Sequence, residues 1–249
     1  MYLEHFGFTS PPFQDTPDQS FFWPQTGGHN LFQQVVHHLQ DGTQLQVIVG
    51  EPGLGKTMLC RKLLNSLRSH RSRYQVVCMP YPKLALDDIL PATEPKKRQQ
   101  VLIIDEAQAL PIMTLRAIIA AIASSHSQLS VLLFGQTELR YLLSGPISEQ
   151  IQSIQHRFVT LKSLDASATQ HYAHHRIVQA GGDLPRALPD SCHLHLHNLS
   201  QGVPRKINSL MRKALLLAAQ EQSHQLTSRH LKNAASHAVF ARLVAEKLV

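Results

Sequence analysis

The stretch LQVIVGEPGLGKT, residues 45 to 57, decides how the rest of the chain is read. Leu45 to Val49 is a nearly continuous apolar run, the pattern of a strand buried on both faces, as parallel strands are. It ends at GEPGLGKT, which fits G-x-x-x-x-G-K-[ST]. Beyond it, Leu59, Cys60, Leu63, Leu64 and Leu67 recur at helical spacing. Strand, glycine-rich loop and helix, in that order, are the context in which such a loop binds phosphate. Gly53 and Gly55 let the backbone curl so that its N–H groups converge on phosphate oxygens. The helix N-terminus adds its dipole. Nucleotide binding is therefore expected of Gly50, Glu51, Pro52, Gly53, Leu54, Gly55, Lys56, Thr57 and Met58. Lys56 is expected to reach the β- and γ-phosphates of ATP, and Thr57 to offer its hydroxyl to Mg²⁺. The plain alternative is a glycine-rich turn.

A second stretch, VLIIDEAQAL at residues 101 to 110, runs four apolar residues straight into two acids. Residues just past a buried parallel strand lie where ligands bind in open α/β sheets. With a phosphate loop in the same chain, Asp105 resembles a Walker B aspartate, expected to hold Mg²⁺ through its water shell. Glu106 is expected to orient and polarise the attacking water.

Working outward, Tyr74 to Met79, Val131 to Phe134 and Phe158 to Leu161 read as further strands. Helices are expected over Asn30 to Leu39, Ile112 to Ala123 and Thr137 to Leu143. This alternation predicts an α/β class, a P-loop core whose parallel sheet is covered by helices. After Leu164 the pattern becomes helical throughout. Asp165 can cap a helix that stops at Gly181-Gly182, and further helices are expected near 190–199, 203–220 and 227–249. The division expected is an extended N-terminal arm at 1–26, the core at 27–163 and an all-helical lid at 164–249. The arm is rich in turn-forming prolines, and its aromatics, Phe6 to Trp23, want burial.

Composition narrows the class. Hydrophobic residues make up 43% and charged residues 16% of 249, which excludes a disordered chain. The net charge of +7 favours anionic partners. Three cysteines without paired spacing read as reduced thiols rather than a disulfide framework or zinc site. No signal peptide is legible at the N-terminus. No apolar run reaches the ~18 residues of a membrane span.

Several further pieces join the two motifs: FGF (6–8), PPF (11–13), TPD (16–18), FGQTEL (134–139), YAHHRIVQAG (172–181) and GVPRKIN (202–208). Together the chain resembles AAA+ ATPases of the ExeA/GspA type, the secretion and pilus-assembly ATPases, and is similar to the TniB/TnsC transposition ATPases. The resemblance implies an ATP hydrolase working with Mg²⁺ as a homo-oligomer. Its implied task is remodelling a bacterial cell-envelope assembly, a type IV or MSHA pilus or a type II secretion machine. It also implies a cytoplasmic location with peripheral inner-membrane contact. The alternatives are a duplex-DNA-binding regulator of transposition and a slow nucleotide switch.

The resemblance implies three more roles. Gln136 looks like sensor 1, and Arg205 like a lid arginine that reaches the nucleotide. Arg157 looks like an arginine finger, with Arg140 as its rival. The catalytic set is then Lys56, Glu106, Gln136 and Arg157. Two departures stand out. The segment at 80–100 is shorter than relatives carry, so a partner or DNA surface is expected to be reduced. ExeA-type relatives also continue into a membrane span and a peptidoglycan-binding part; the chain here is expected to resemble the cytoplasmic MshM-like form.

Two other features carry sharper and plainer readings. His193 and His197 in HLHLH have metal-ligand spacing on one helix face, or are simply solvated imidazoles. Arg68, Arg71 and Arg73, with Lys96, Lys97 and Arg98, each precede an expected strand. In a parallel sheet both runs lie at one edge, either solvated or docked on phosphate or acidic lipid.

Overall fold

Leu45, Val47, Ile48 and Val49 are fully buried in the computed structural model, so the run that opens the phosphate-loop motif does sit at the centre of a sheet. The structure describes residues 2–14, 18–23, 30–80, 98–124 and 129–245, with side chains to residue 236. Thr16 and Pro17 of TPD, Lys96, Lys97 and most of the shortened 80–100 segment lie outside the described residues.

In chain order the first elements are α1 (Tyr2–Phe6), α2 (Leu31–Gln40), β1 (Leu45–Val49), α3 (Lys56–Ser69), β2 (Tyr74–Met79) and β3 (Gln99–Ile104). Then come α4 (Ile112–Ala123), β4 (Leu129–Gly135), α5 (Glu138–Leu142), α6 (Pro146–Gln152) and β5 (His156–Thr160). The remainder is helical: α7 (Ala166–Gln179), α8 (Leu184–Ala187), α9 (His193–Ser200), α10 (Pro204–Gln220) and α11 (Ser228–Ala245). The chain divides into two units, Pro24–Lys162 and Met1–Trp23 with Ser163–Val249.

The first unit is a five-stranded sheet in the order β2-β3-β4-β1-β5, every neighbouring pair parallel. Burial follows position. β1 and β4 are buried along their whole length, whereas the edge strands β2 and β5 are mostly half-exposed. Helix α4 explains why one face is dry. Leu115, Ile118, Ile119 and Ile122 recur at helical spacing and are fully buried against the sheet's apolar side chains. Each such burial stabilises by about 1.5–3 kcal/mol relative to exposure.

The second unit corrects the expectation of an extended arm. Among its described residues the arm contains α1 and a 3-10 turn at Gln19–Phe21. Phe6, Phe8, Phe13 and Phe21 belong to the same buried cluster as Ile177, Leu196, Met211 and Leu215 from the C-terminal helices. The physical reason is Arg176 as much as the aromatics. It is 3% exposed, and its guanidinium donates to the carbonyls of Pro12 and Gln14 and to the Tyr172 hydroxyl. Its charge lies 4.9 Å from the centre of the Phe21 ring, a cation–π distance. The arm is bonded to this arginine and cannot lie free. Arg176→Met keeps the length and removes the donors. It should lower stability by about 2–4 kcal/mol, since carbonyls held by a charged donor lose it. Equilibrium urea unfolding of the variant checks this.

The same unit carries a histidine pair. His174 Nε2 on α7 and His193 Nε2 on α9 are 3.0 Å apart. His197 turns elsewhere, its Nδ1 lying 3.0 Å from the Thr169 hydroxyl. His193 and His197 are thus spent on separate contacts with α7. Among the described residues no group of three or more His, Cys, Asp or Glu is placed to hold a metal. Burial pushes His174 below the usual imidazole range, and the nearby His193 and His171 add to this while Asp190 opposes it. Burial also pushes His175 down. Both groups then bind a proton more readily in the unfolded chain than in the folded one. Stability is full above the unfolded pKa of about 6.5 and falls as pH drops below it. The urea midpoint should therefore decrease from pH 7.5 to pH 5.5, and His174→Gln with His175→Gln should flatten that dependence.

Candidate active site

The loop Gly50–Gly55 leaves the end of β1 and enters α3 through two left-handed glycines, Gly53 at φ 88° and Gly55 at φ 95°. Side chains other than glycine rarely adopt that conformation. Gly55 is the N-cap of α3 and makes no side-chain cap bond, so the first N–H groups of the helix have no capping side chain. Those are the groups that face an anion at a helix N-terminus. Lys56 is 6% exposed, and its Nζ donates to the Gly50 carbonyl at 2.6 Å and the Glu51 carbonyl at 3.1 Å. The lysine thus lies folded over the loop. Thr57 is exposed, and Met58 is half-buried.

Two strands away, β3 ends at Ile104, and the Asp105 N–H donates to the Met79 carbonyl at 2.9 Å. Asp105 is 4% exposed. Burial pushes its carboxyl above the usual carboxylate range, opposed by a hydrogen bond from the Thr57 side chain and another from the Glu106 N–H. Thr57 and Asp105 therefore meet. A hydroxyl beside a desolvated carboxylate is an all-oxygen donor set, which suits Mg²⁺. The fit rests on the two side chains present.

Glu106 is half-buried and sits at φ 53°, ψ 39°, the left-handed region that a glutamate rarely takes. Such backbone costs on the order of 1–3 kcal/mol and is concentrated at functional sites. It turns Glu106 out of the line of β3 and begins the 3-10 turn Ala107–Ala109. Its Oε2 accepts from Gln108 Nε2 at 2.6 Å. Gln136 follows β4 and is half-buried, and its N–H donates to Gln108 Oε1 at 3.0 Å. The loop and β4 are also joined directly, because the Gly50 N–H donates to the Gly135 carbonyl at 3.2 Å.

The core unit thus brings the loop, Lys56, Thr57, Asp105, Glu106 and Gln136 to the C-terminal ends of β1, β3 and β4. Arg157, also expected at the site, stands elsewhere in the core unit. Arg157 is exposed on β5 opposite Gln46, at the other end of the strands. Arg205 is exposed in the first turn of α10, in the helical unit. Gln108 escaped the sequence reading. Its signal was a carboxamide two residues after the second acid, near enough to fold back on it.

Residues 38–97 match the family described as an AAA domain. The chain is similar to General secretion pathway protein A of Aeromonas hydrophila, at 29% identity over 264 residues that span 94% of this chain and 48% of that protein. It therefore spans about half the length of that curated relative. Among solved structures it is similar to the ORC2 protein of Aeropyrum pernix in ADPNP–ADP complexes, with a TM-score of 0.64 and 13% identity over 92% of this chain and 72% of that one. It is also similar to the RuvB Holliday junction branch migration motor of Thermotoga maritima, with a TM-score of 0.62 and 16% identity over 87% and 72% of the two chains. A third is the Drosophila ORC bound to DNA, with a TM-score of 0.63 and 14% identity over 93% and 67%. At these identities the structures speak for the fold. Residues 38–97 thus match an AAA domain, and the chain shares the parallel-sheet P-loop fold of these structures.

Proposed function

We propose that the chain hydrolyses ATP in the site at the ends of β1, β3 and β4, and that this drives rearrangement of a bacterial cell-envelope assembly. The observation that carries the reading is that a loop whose lysine is bonded to backbone carbonyls it can exchange for phosphate lies, with Asp105 and Glu106, at the C-terminal ends of β1 and β3. In the reaction a water oxygen attacks the γ-phosphorus, the bond to the β,γ-bridging oxygen breaks, and ADP and phosphate leave. Loop N–H groups and Lys56 hold the phosphates and neutralise their charge. Thr57 and Asp105 would hold Mg²⁺, which supplies charge neutralisation on the β- and γ-phosphates when bound. Glu106 orients the water and polarises it, and Gln136 lies where a side chain can report on the γ-phosphate. Arg205 is assigned to the nucleotide from the lid, and Arg157 to the site of a neighbouring subunit in a homo-oligomer.

The envelope assignment is supported by similarity across most of the chain to a general secretion pathway protein. Among the described residues no helix is long and apolar enough to cross a membrane. Peripheral contact with the inner membrane, from the cytoplasm, belongs to the same proposal. A second reading, a DNA-dependent ATPase, is favoured by one feature. Arg68, Arg71, Arg73 and Arg98 are exposed near the N-terminal ends of β2 and β3, with Arg98 Nη1 donating to the Arg71 carbonyl at 3.3 Å. ATP turnover measured alone, with duplex DNA and with anionic vesicles separates the two. Stimulation by vesicles and not DNA supports the envelope reading. Stimulation by DNA, with affinity falling at a log–log salt slope of about −0.9 per phosphate neutralised, replaces it.

A further inference from the structure

Three residues from two parts of the sequence are tied by a single carboxamide. Gln108 donates from Nε2 to Glu106 and accepts at Oε1 from the Gln136 N–H, at 2.6 and 3.0 Å. Each end of the amide meets the partner its chemistry requires. The flipped amide would set NH₂ against N–H and C=O against a carboxylate, so its orientation is determined. The approach depends on Gly135. A Cβ there would stand 2.9 Å from Gln108 Oε1 and 2.8 Å from Leu139 Cδ2, both too close. The end of β4 lacks a side chain where the carboxamide passes.

We propose that Gln108 is a positioning residue for ATP hydrolysis, coupling the Glu106 carboxylate to the Gln136 segment at the end of β4. The inference rests on the reading of Glu106 as the water-polarising group. Its consequence is mechanical. Glu106 already occupies an uncommon backbone conformation, and its side chain is held in one direction by Gln108. Any shift of the Gln136 backbone when a γ-phosphate arrives pulls on the amide oxygen and is transmitted to Glu106 through its NH₂. The carboxylate is thereby brought to its working position by the same contact that reports the nucleotide.

Two substitutions separate the two ends of the amide. Gln108→Ala removes both bonds. Gln108→Glu keeps an oxygen for the Gln136 N–H and sets a second carboxylate against Glu106. In both, kcat for ATP should fall by about 10²-fold, the size of loss that a ~1 Å misplacement of a reacting group produces. KM and the affinity for a fluorescent ATP analogue should stay within about 2-fold, because no ground-state contact to nucleotide is removed. Amide hydrogen exchange without nucleotide gives a readout independent of turnover. The Gln136 N–H should lose protection in Gln108→Ala and keep it in Gln108→Glu. Gly135→Ala should reproduce the kcat loss by displacing the same amide. Gln108→Ala turning over ATP at the wild-type rate would overturn the coupling role and leave the ATPase reading standing. A wild-type chain that hydrolyses no ATP would overturn both.

Discussion

Arg157→Ala is expected to bind ATP like the wild-type chain and to hydrolyse it about 10³- to 10⁵-fold more slowly, the range over which an arginine finger accelerates phosphoryl transfer. The geometry behind this is the register of β5. Arg157 lies opposite Gln46, four residues before the loop begins at Gly50. At about 3.3 Å per residue that is roughly 13 Å back along the strand, beyond the reach of an arginine side chain. The guanidinium is exposed, and its Nη1 donates weakly, at 3.4 Å, to the carbonyl of its neighbour His156. If Arg157 acts on the transferring phosphoryl group, it does so in an adjacent copy. Specific activity should then rise with protein concentration. Mixing Arg157→Ala with Glu106→Gln should restore part of the activity, since some interfaces would pair an intact Glu106 with an intact Arg157. Hetero-oligomers that form yet stay inactive would move the role to Arg140. That residue is exposed on α5, with its charge 6.0 Å from the centre of the Phe158 ring.

Lys56→Ala should weaken ATP binding by about 30- to 4,000-fold. Truncating one member of a buried charge pair costs 2–5 kcal/mol, and each 1.4 kcal/mol is a factor of ten. Lys56 donates to the Gly50 and Glu51 carbonyls, so its cation is held inside the loop rather than extended into water. Removing it also leaves those carbonyls without a donor, and a stability loss of about 1 kcal/mol is expected. Titration with a fluorescent ATP analogue, beside urea unfolding, reads both effects. A folded variant with undiminished affinity would take Lys56 out of the site.

The parallel sheet was legible because every strand contains an apolar run, and β1 and β3 are marked a second time by the loop and the acids at their C-terminal ends. β1 and β2 begin and end where the runs do, β3 starts two residues earlier than expected, and β4 and β5 differ by one or two residues at both ends. Helix α6 was missed because GPISEQIQ opens with a Gly-Pro pair that reads as a break. Pro146 is in fact the first helical residue, where a missing N–H costs nothing, and Ile147 and Ile151, four apart, are buried. The arm misled for a different reason. Prolines and turns argue for extension locally, but four buried phenylalanines and Arg176 bind it to helices some 160 residues away, and no local pattern encodes that. The two acids were legible from the strand that precedes them. The Gln108 bridge was not, because it joins positions 28 residues apart through side-chain geometry that spacing does not determine.

Glu106→Gln tests the central claim most directly. The amide keeps the size of the side chain and removes the charge that polarises water, while the loop, Lys56, Thr57 and Asp105 are untouched. Binding of ATP and its hydrolysis should be followed in the same sample, by analogue titration and by quenched single-turnover release of phosphate. The account predicts wild-type affinity with phosphate release slowed by at least about 10²-fold, the low end of what a general base contributes. Phosphate release at the wild-type rate, from a variant that binds ATP normally, would contradict it.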